Sequence, residues 1–232
     1  ARLMADRLAW FWMIAEPVAF LLIMISIRVV VLGRNRDIAG ADFVPWMIVG
    51  LMGFFLFREN MMRSIGAVEA NRGLFAYRQV KPIDPVFVRC YLEGLIRSVL
   101  FLLFVTAAPL FGVNLIPHHP ITAIAGWLSL WALGLSLGLT LSALTALVPE
   151  LARVVRMLSL PLLIISGVII PLNMLPHDLL AYLMFNPIVH GLEFMRGGFF
   201  EYYQLLPGTS LSYLWYWALG FTALGLMLHI RF

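Results

Sequence analysis

The chain has 232 residues, a formal net charge of +4, and a composition that is 62% hydrophobic and only 12% charged. Soluble domains are about half apolar and about a quarter charged, so a water-soluble globular protein is excluded. Several apolar segments reach or approach the roughly 20 residues needed to cross a bilayer as helix. The alternating ten-residue strands of a membrane β-barrel are absent, so the fold class is all-α integral membrane.

In chain order, residues 1–13 set Arg2, Asp6 and Arg7 among Leu3, Met4, Leu8, Trp10, Phe11 and Trp12. This reads as an amphipathic helix in the cytoplasmic interface, with the wet first turns of a span as the alternative. A start at Ala1-Arg2 implies further sequence upstream. Six spans are expected, at about 14–32, 43–62, 92–116, 121–148, 154–172 and 209–230. Glu16-Pro17 opens the first; Pro45 and Pro149 sit near span ends, and Pro109 and Pro161 are predicted to kink their helices. Arg28, late in the first span, either snorkels to the outer headgroups or faces an anionic cargo. Gly134, Gly138 and Ser142 make one face of small residues, read as close packing within the subunit rather than as a dimer seam.

Orientation follows from arginine and lysine. The joint between the second and third spans carries Arg58, Arg63, Arg72, Arg78, Lys81, Arg89 and Arg97, and the fourth joint carries Arg153 and Arg156. The alternate side holds only Arg28, Arg34, Arg36 and Arg196. The positive-inside bias places both termini and the second and fourth joints in the cytoplasm.

Several chemistries find no support in the sequence. There is no phosphate-cradling G-x-x-x-x-G-K-[ST] loop, and the sole lysine, Lys81, precedes a proline, so this chain does not bind and hydrolyse ATP in that way. His118 and His119 are adjacent while His177, His190 and His229 are scattered, which is not metal-ligand spacing. No Gly-x-Ser-x-Gly elbow is present, and the acids lie mostly at span ends. No enzyme and no cofactor are expected in this chain. A single cysteine, Cys90, carries no information on redox compartment.

Two segments stand out. The cytoplasmic joint from Arg58 to Arg97 is the largest polar island, and within its 66–85 region Glu69, Arg72, Leu74, Phe75, Tyr77 and Arg78 share a short helical piece ended by prolines. Exposed rings and guanidinium groups suit a docking surface, the alternative being an ordinary basic loop. Asp84 is predicted to cap the next helix, with Pro85 at its first position. On the outer side, two helical stretches of about ten residues begin at Pro176 and at Asn186-Pro187, each too short to cross. Either they dip into the membrane and return, over 176–198, or they lie flat on the outer surface. Glu193 and Arg196, three apart on one helical face, are placed to pair.

These features resemble the membrane subunit of type-2 ABC exporters, in the capsular polysaccharide branch. The resemblance spans essentially the whole chain. It rests on Glu16-Pro17, on Asn71-Arg72-Gly73-Leu74 through Val80-Lys81-Pro82, on Ser166-Gly-Val-Ile-Ile-Pro171 with Leu175-Pro176, and on Asn186-Pro187 followed by Glu193 and Arg196. It implies a single permease domain over 1–232 in the bacterial inner membrane, with six spans, the interfacial helix, a coupling helix at about 69–80, and two re-entrant helices before the last span. It further implies a homodimer with two ABC ATPase subunits that bind ATP and Mg, a periplasmic-facing adaptor or co-polymerase, and an outer-membrane channel. The implied cargo is a lipid-linked acidic polysaccharide, with no nucleic acid involved. Phe54, Phe55, Phe57, Tyr182 and Phe185 are candidates for lining its path, because sugar CH groups stack on rings, and Arg28 is a candidate for its charge toward an anionic cargo. Export of another cargo (O-antigen, teichoic acid or a hydrophobic drug) is the nearest rival reading, and a membrane-embedded transferase the next.

Overall fold

The computed structural model describes residues 15, 18–24, 26, 38–76 and 79–230. The expected interfacial helix of residues 1–13, the Glu16-Pro17 start, Arg28, and Tyr77 and Arg78 of the docking set lie outside these. The described residues are helical elements and connecting turns, with one isolated antiparallel bridge between Ile38 and Ala41. The helices are α1 (Phe43–Ser64), α2 (Ala67–Ala70), α3 (Asp84–Ala107), α4 (Pro120–Leu147), α5 (Leu151–Ile165), α6 (His177–Leu183), α7 (Pro187–Phe199) and α8 (Leu211–Ile230). Short 3-10 turns occupy Arg72–Ala76, Ala108–Phe111 and Leu172–Met174.

Among the described residues, three stretches are long and apolar enough to cross a membrane: Asp84–Phe111, Pro120–Leu147 and Leu211–Ile230. α1 has 22 residues, but its last turns carry Arg58, Glu59, Asn60 and Arg63. α5 has only 15 residues, or about 22 Å of helix at 1.5 Å per residue, against a bilayer core of about 30 Å.

Two expected spans differ in their bounds. The third begins at Asp84 instead of 92, since Pro85 fits a first helical turn. Asp84 does not cap that helix: its Oδ2 accepts from the Lys81 N–H at 2.7 Å, tying it to the preceding turn. Pro109 does not kink this helix either, because α3 ends at Ala107 and Pro109 lies in the 3-10 turn that follows. The expected span 154–172 is not one helix. Pro161 lies inside α5, the Ser166 Oγ–H donates to Leu162 O at 2.6 Å, and Gly167 turns the chain out at φ +69°. A left-handed residue of this kind is a common helix stop, and glycine adopts it without strain.

α4 is the axis of the subunit and packs against α1, α7 and α8. Its small residues permit this: a Cβ on Gly134 would sit 2.7 Å from Phe57 O, and one on Gly138 2.6 Å from Ser64 Oγ. The small-residue face therefore serves contact within the subunit. Of the span windows, 61% is buried in α4 but only 28% in the α3 stretch and 17% in α8. α3 and α8 thus turn Leu95, Leu102, Tyr216 and Met227 outward. Apolar faces of that extent require an apolar surrounding.

Candidate functional site

α1 carries a polar cluster at each end. On the orientation expected from the arginine distribution, the outer cluster is the one that begins where α5 stops. Asn186 caps α7, its Oδ1 accepting from Ile188 N–H at 3.1 Å, while its Nδ2 donates to Ser166 Oγ at 2.9 Å. With Pro187 in the first turn, the post-α5 turn and the start of α7 are stitched together. α7 then presents Glu193 and Arg196 on one face. Arg196 Nη1 meets Glu193 Oε1 at 3.1 Å, and Nη2 donates to Gly167 O at 3.0 Å. The guanidinium carbon lies 3.6 Å from the centre of the Trp46 ring. Gly50 makes room, since a Cβ there would fall 2.3 Å from Arg196 Nη2.

The Glu193 carboxylate is satisfied from the other side. The Tyr203 hydroxyl is shared between its two oxygens at 3.0 and 3.1 Å, and Leu206 N–H approaches at 3.4 Å. Trp46 Nε1–H in turn donates to Tyr203 Oη at 3.3 Å. Burial raises the Tyr203 phenol above its ordinary pKa, so it remains a donor at neutral pH. The Arg196 and Glu193 side chains are 1% and 3% exposed. A charge that dry persists only when paired and hydrogen-bonded. Arg196 Nε has no acceptor among the described residues; the Trp46 face supplies a cation–π contact, worth about 2 kcal/mol when desolvated.

The inner cluster joins α1, α3 and α5. Arg97 Nε meets Glu93 Oε1 at 2.9 Å and its Nη2 reaches Glu59 Oε2 at 3.6 Å. Arg63 Nε lies 3.6 Å from Glu59 and 3.8 Å from Glu93. Arg58 meets Glu59 Oε1 at 3.1 Å and donates from Nε to Ser159 Oγ of α5 at 2.6 Å. Arg89 Nη1 donates to Arg63 O at 3.1 Å, binding the start of α3 to the end of α1. Sequence reasoning missed this cluster. The available signal was a Glu→Arg spacing of four in two helices, Glu59–Arg63 and Glu93–Arg97.

Of the residues singled out in the sequence, Asn186, Pro187, Glu193 and Arg196 come together with Ser166 and Gly167. In the docking set, Glu69 and Arg72 pair at 3.2 Å on the surface, Leu74 is exposed and Phe75 half-buried. Phe54, Phe55 and Phe57 are buried in the packed interior of the subunit, whereas Tyr182 and Phe185 are exposed.

A family model described as ABC-2 type transporter matches residues 2–200. The polysialic acid transport protein KpsM of Escherichia coli is 35% identical over 223 residues, which are 96% of this chain and 85% of that protein. The capsule polysaccharide export inner-membrane protein CtrC of Neisseria meningitidis serogroup A is 24% identical over 195 residues, 84% of this chain and 73% of its own length. BexB of Haemophilus influenzae, described in the same words as CtrC, matches with the same identity and coverage. By the extent of the family match and by identity across nearly its whole length, the chain belongs to the ABC-2 type transporter family.

Proposed function

We propose that this chain is the inner-membrane subunit of an ATP-driven exporter that moves capsule polysaccharide out of the cytoplasm. The observation that carries the reading is the agreement of relatives over 84–96% of the chain, named for polysialic acid transport or capsule polysaccharide export. The finer parts are a lipid-linked acidic cargo, a homodimer of six-span subunits with both termini cytoplasmic, and two partner ATPases that bind ATP and Mg. The arginine asymmetry supports the orientation. α6 and α7 are the two re-entrant helices, being too short to cross, and Tyr182 and Phe185 border the exit. A periplasmic-facing adaptor and an outer-membrane channel receive the product.

Residues 66–85 are the coupling region. Closure of the ATPases pushes Glu69, Arg72, Leu74, Phe75, Tyr77 and Arg78, and the displacement enters α1 and α3 through the inner cluster. α1 is a rigid rod, so its outer end moves with its inner end, and the Arg196 cluster passes that shift to α7 and the Gly167 turn. The test is genetic and biochemical together. Deleting the gene in a capsulated strain should leave polymer inside the cell, and re-expression should restore surface capsule. The purified subunit should release no phosphate from ATP without a partner. Surface capsule that persists in the deletion strain would overturn the reading.

A further inference from the structure

A cavity of about 630 Å³ opens between α6, the start of α7 and the start of α8, within the ~300–1,000 Å³ of small-molecule sites. Its walls include Leu180, Met184, Phe185, Pro207, Tyr213 and Tyr216. His177, Ser210, Ser212 and Tyr216 add polar atoms to the walls, while the ring of His190 and the hydroxyl of Tyr213 are engaged by the protein. His190 Nδ1 accepts the Ser210 N–H at 3.1 Å. The ring proton is therefore on Nε2, which donates to Met184 O at 2.8 Å. The Tyr213 hydroxyl donates to Phe185 O at 3.0 Å.

The wall is nonetheless mainly apolar, offering burial and dispersion contacts with a few polar atoms among them. A sugar would give up its water for little return, whereas a hydrocarbon chain gives up nothing. Position argues the same way. Tyr213, Trp215, Tyr216 and Trp217 cluster in the first turns of α8, and such aromatic groups mark the headgroup level of a membrane. Leu179 and Tyr182 of α6 and Leu219 of α8 are exposed as well. We infer that this cavity holds one acyl chain of a membrane phospholipid, a site that rests on the outer-leaflet placement of α6 and α7 given above. A chain held there fills the gap between α6 and α8 and fixes α6 beside the exit.

The test uses the subunit in nanodiscs of phosphatidylethanolamine and phosphatidylglycerol containing a little phospholipid with a photoreactive acyl chain. Adducts should concentrate on peptides covering 177–190 and 207–216. Ala181→Trp fills the cavity from one wall and should reduce those adducts, because denying even two methylenes a dry site weakens binding about tenfold. Leu179→Trp, on the same helix outside the cavity, should leave them unchanged. Ser212→Trp closes the cavity from the opposite wall and serves if Ala181→Trp does not fold. Adducts spread evenly over the outward faces of α3 and α8, untouched by either filling variant, would overturn the site. The placement is read separately, with Tyr202→Cys in a Cys90→Ser background and an impermeant thiol reagent. Reaction from the cytoplasmic side alone would overturn the placement, whatever the adduct map.

Discussion

The two ends of α1 solve the same problem differently. Trp46 and Arg58 lie about 18 Å apart along the helix axis, and each anchors charged groups within an apolar subunit. At the outer end one cation and one anion are sealed together, and an indole, a phenol and a backbone carbonyl complete their shells. At the inner end three arginines share two glutamates at distances from 2.9 to 3.8 Å, and the Arg63 side chain is 59% exposed. The outer cluster has one good arrangement. The inner one has several of similar quality, since an arginine that leaves one carboxylate meets another. A part that must hold its neighbours in register suits the first design, and a part that must yield to a push suits the second.

That contrast can be broken most forcefully at Arg196. Arg196→Ala strands a buried Glu193 carboxylate and should cost about 3–5 kcal/mol, read as a lower melting temperature in detergent and loss of surface capsule. Adding Glu193→Gln should return part of the loss, because the orphaned charge is removed. Tyr203→Phe deletes the hydroxyl shared by the two carboxylate oxygens and should cost about 1.5–3 kcal/mol, the range for hydrogen bonds to a charged group. At the inner end Arg97→Ala should cost less, about 1–2 kcal/mol against the ~3–5 of a pair broken outright, since Arg63 and Arg58 remain to share the glutamates. Arg63→Gln should be nearly silent, at about 0.5 kcal/mol or less, as for exposed pairs. Salt sharpens the comparison. Raising ionic strength should shrink the Arg63 effect and leave the Arg196 effect unchanged. Equal salt sensitivity at both ends would mean that the outer cluster is open to water.

Sequence reasoning reached features that depend on local spacing. The bounds of α4 and α8, the starts of α6 and α7 next to Pro176 and at Asn186-Pro187, and the Glu193–Arg196 pair are all of this kind. Trp46, Gly50 and Tyr203 were not legible as partners of that pair, because 157 positions separate Trp46 from Tyr203 and no local periodicity links them. The end of α5 was misjudged for a different reason. Hydropathy runs on through Val168, Ile169 and Ile170, and a hydropathy window cannot register the one left-handed glycine at 167 that turns the chain. The aromatic run Phe54–Phe57 was legible as apolar, but burial inside the subunit is decided by where α4 packs.

α7 has 13 residues and carries an ion pair, so it has neither the length nor the hydropathy to enter a membrane unaided. Its partners are α1, α4 and α8, and Arg196 is satisfied only when Trp46 and Gly167 are already in place. The groove between α1 and α4 is therefore what receives α7, and the segment is ligand to its own chain. α8, synthesised afterwards, covers it. A defect in α1 at Gly50 would then show itself first as an unfilled groove and a trapped, protease-sensitive chain, before any transport step is reached.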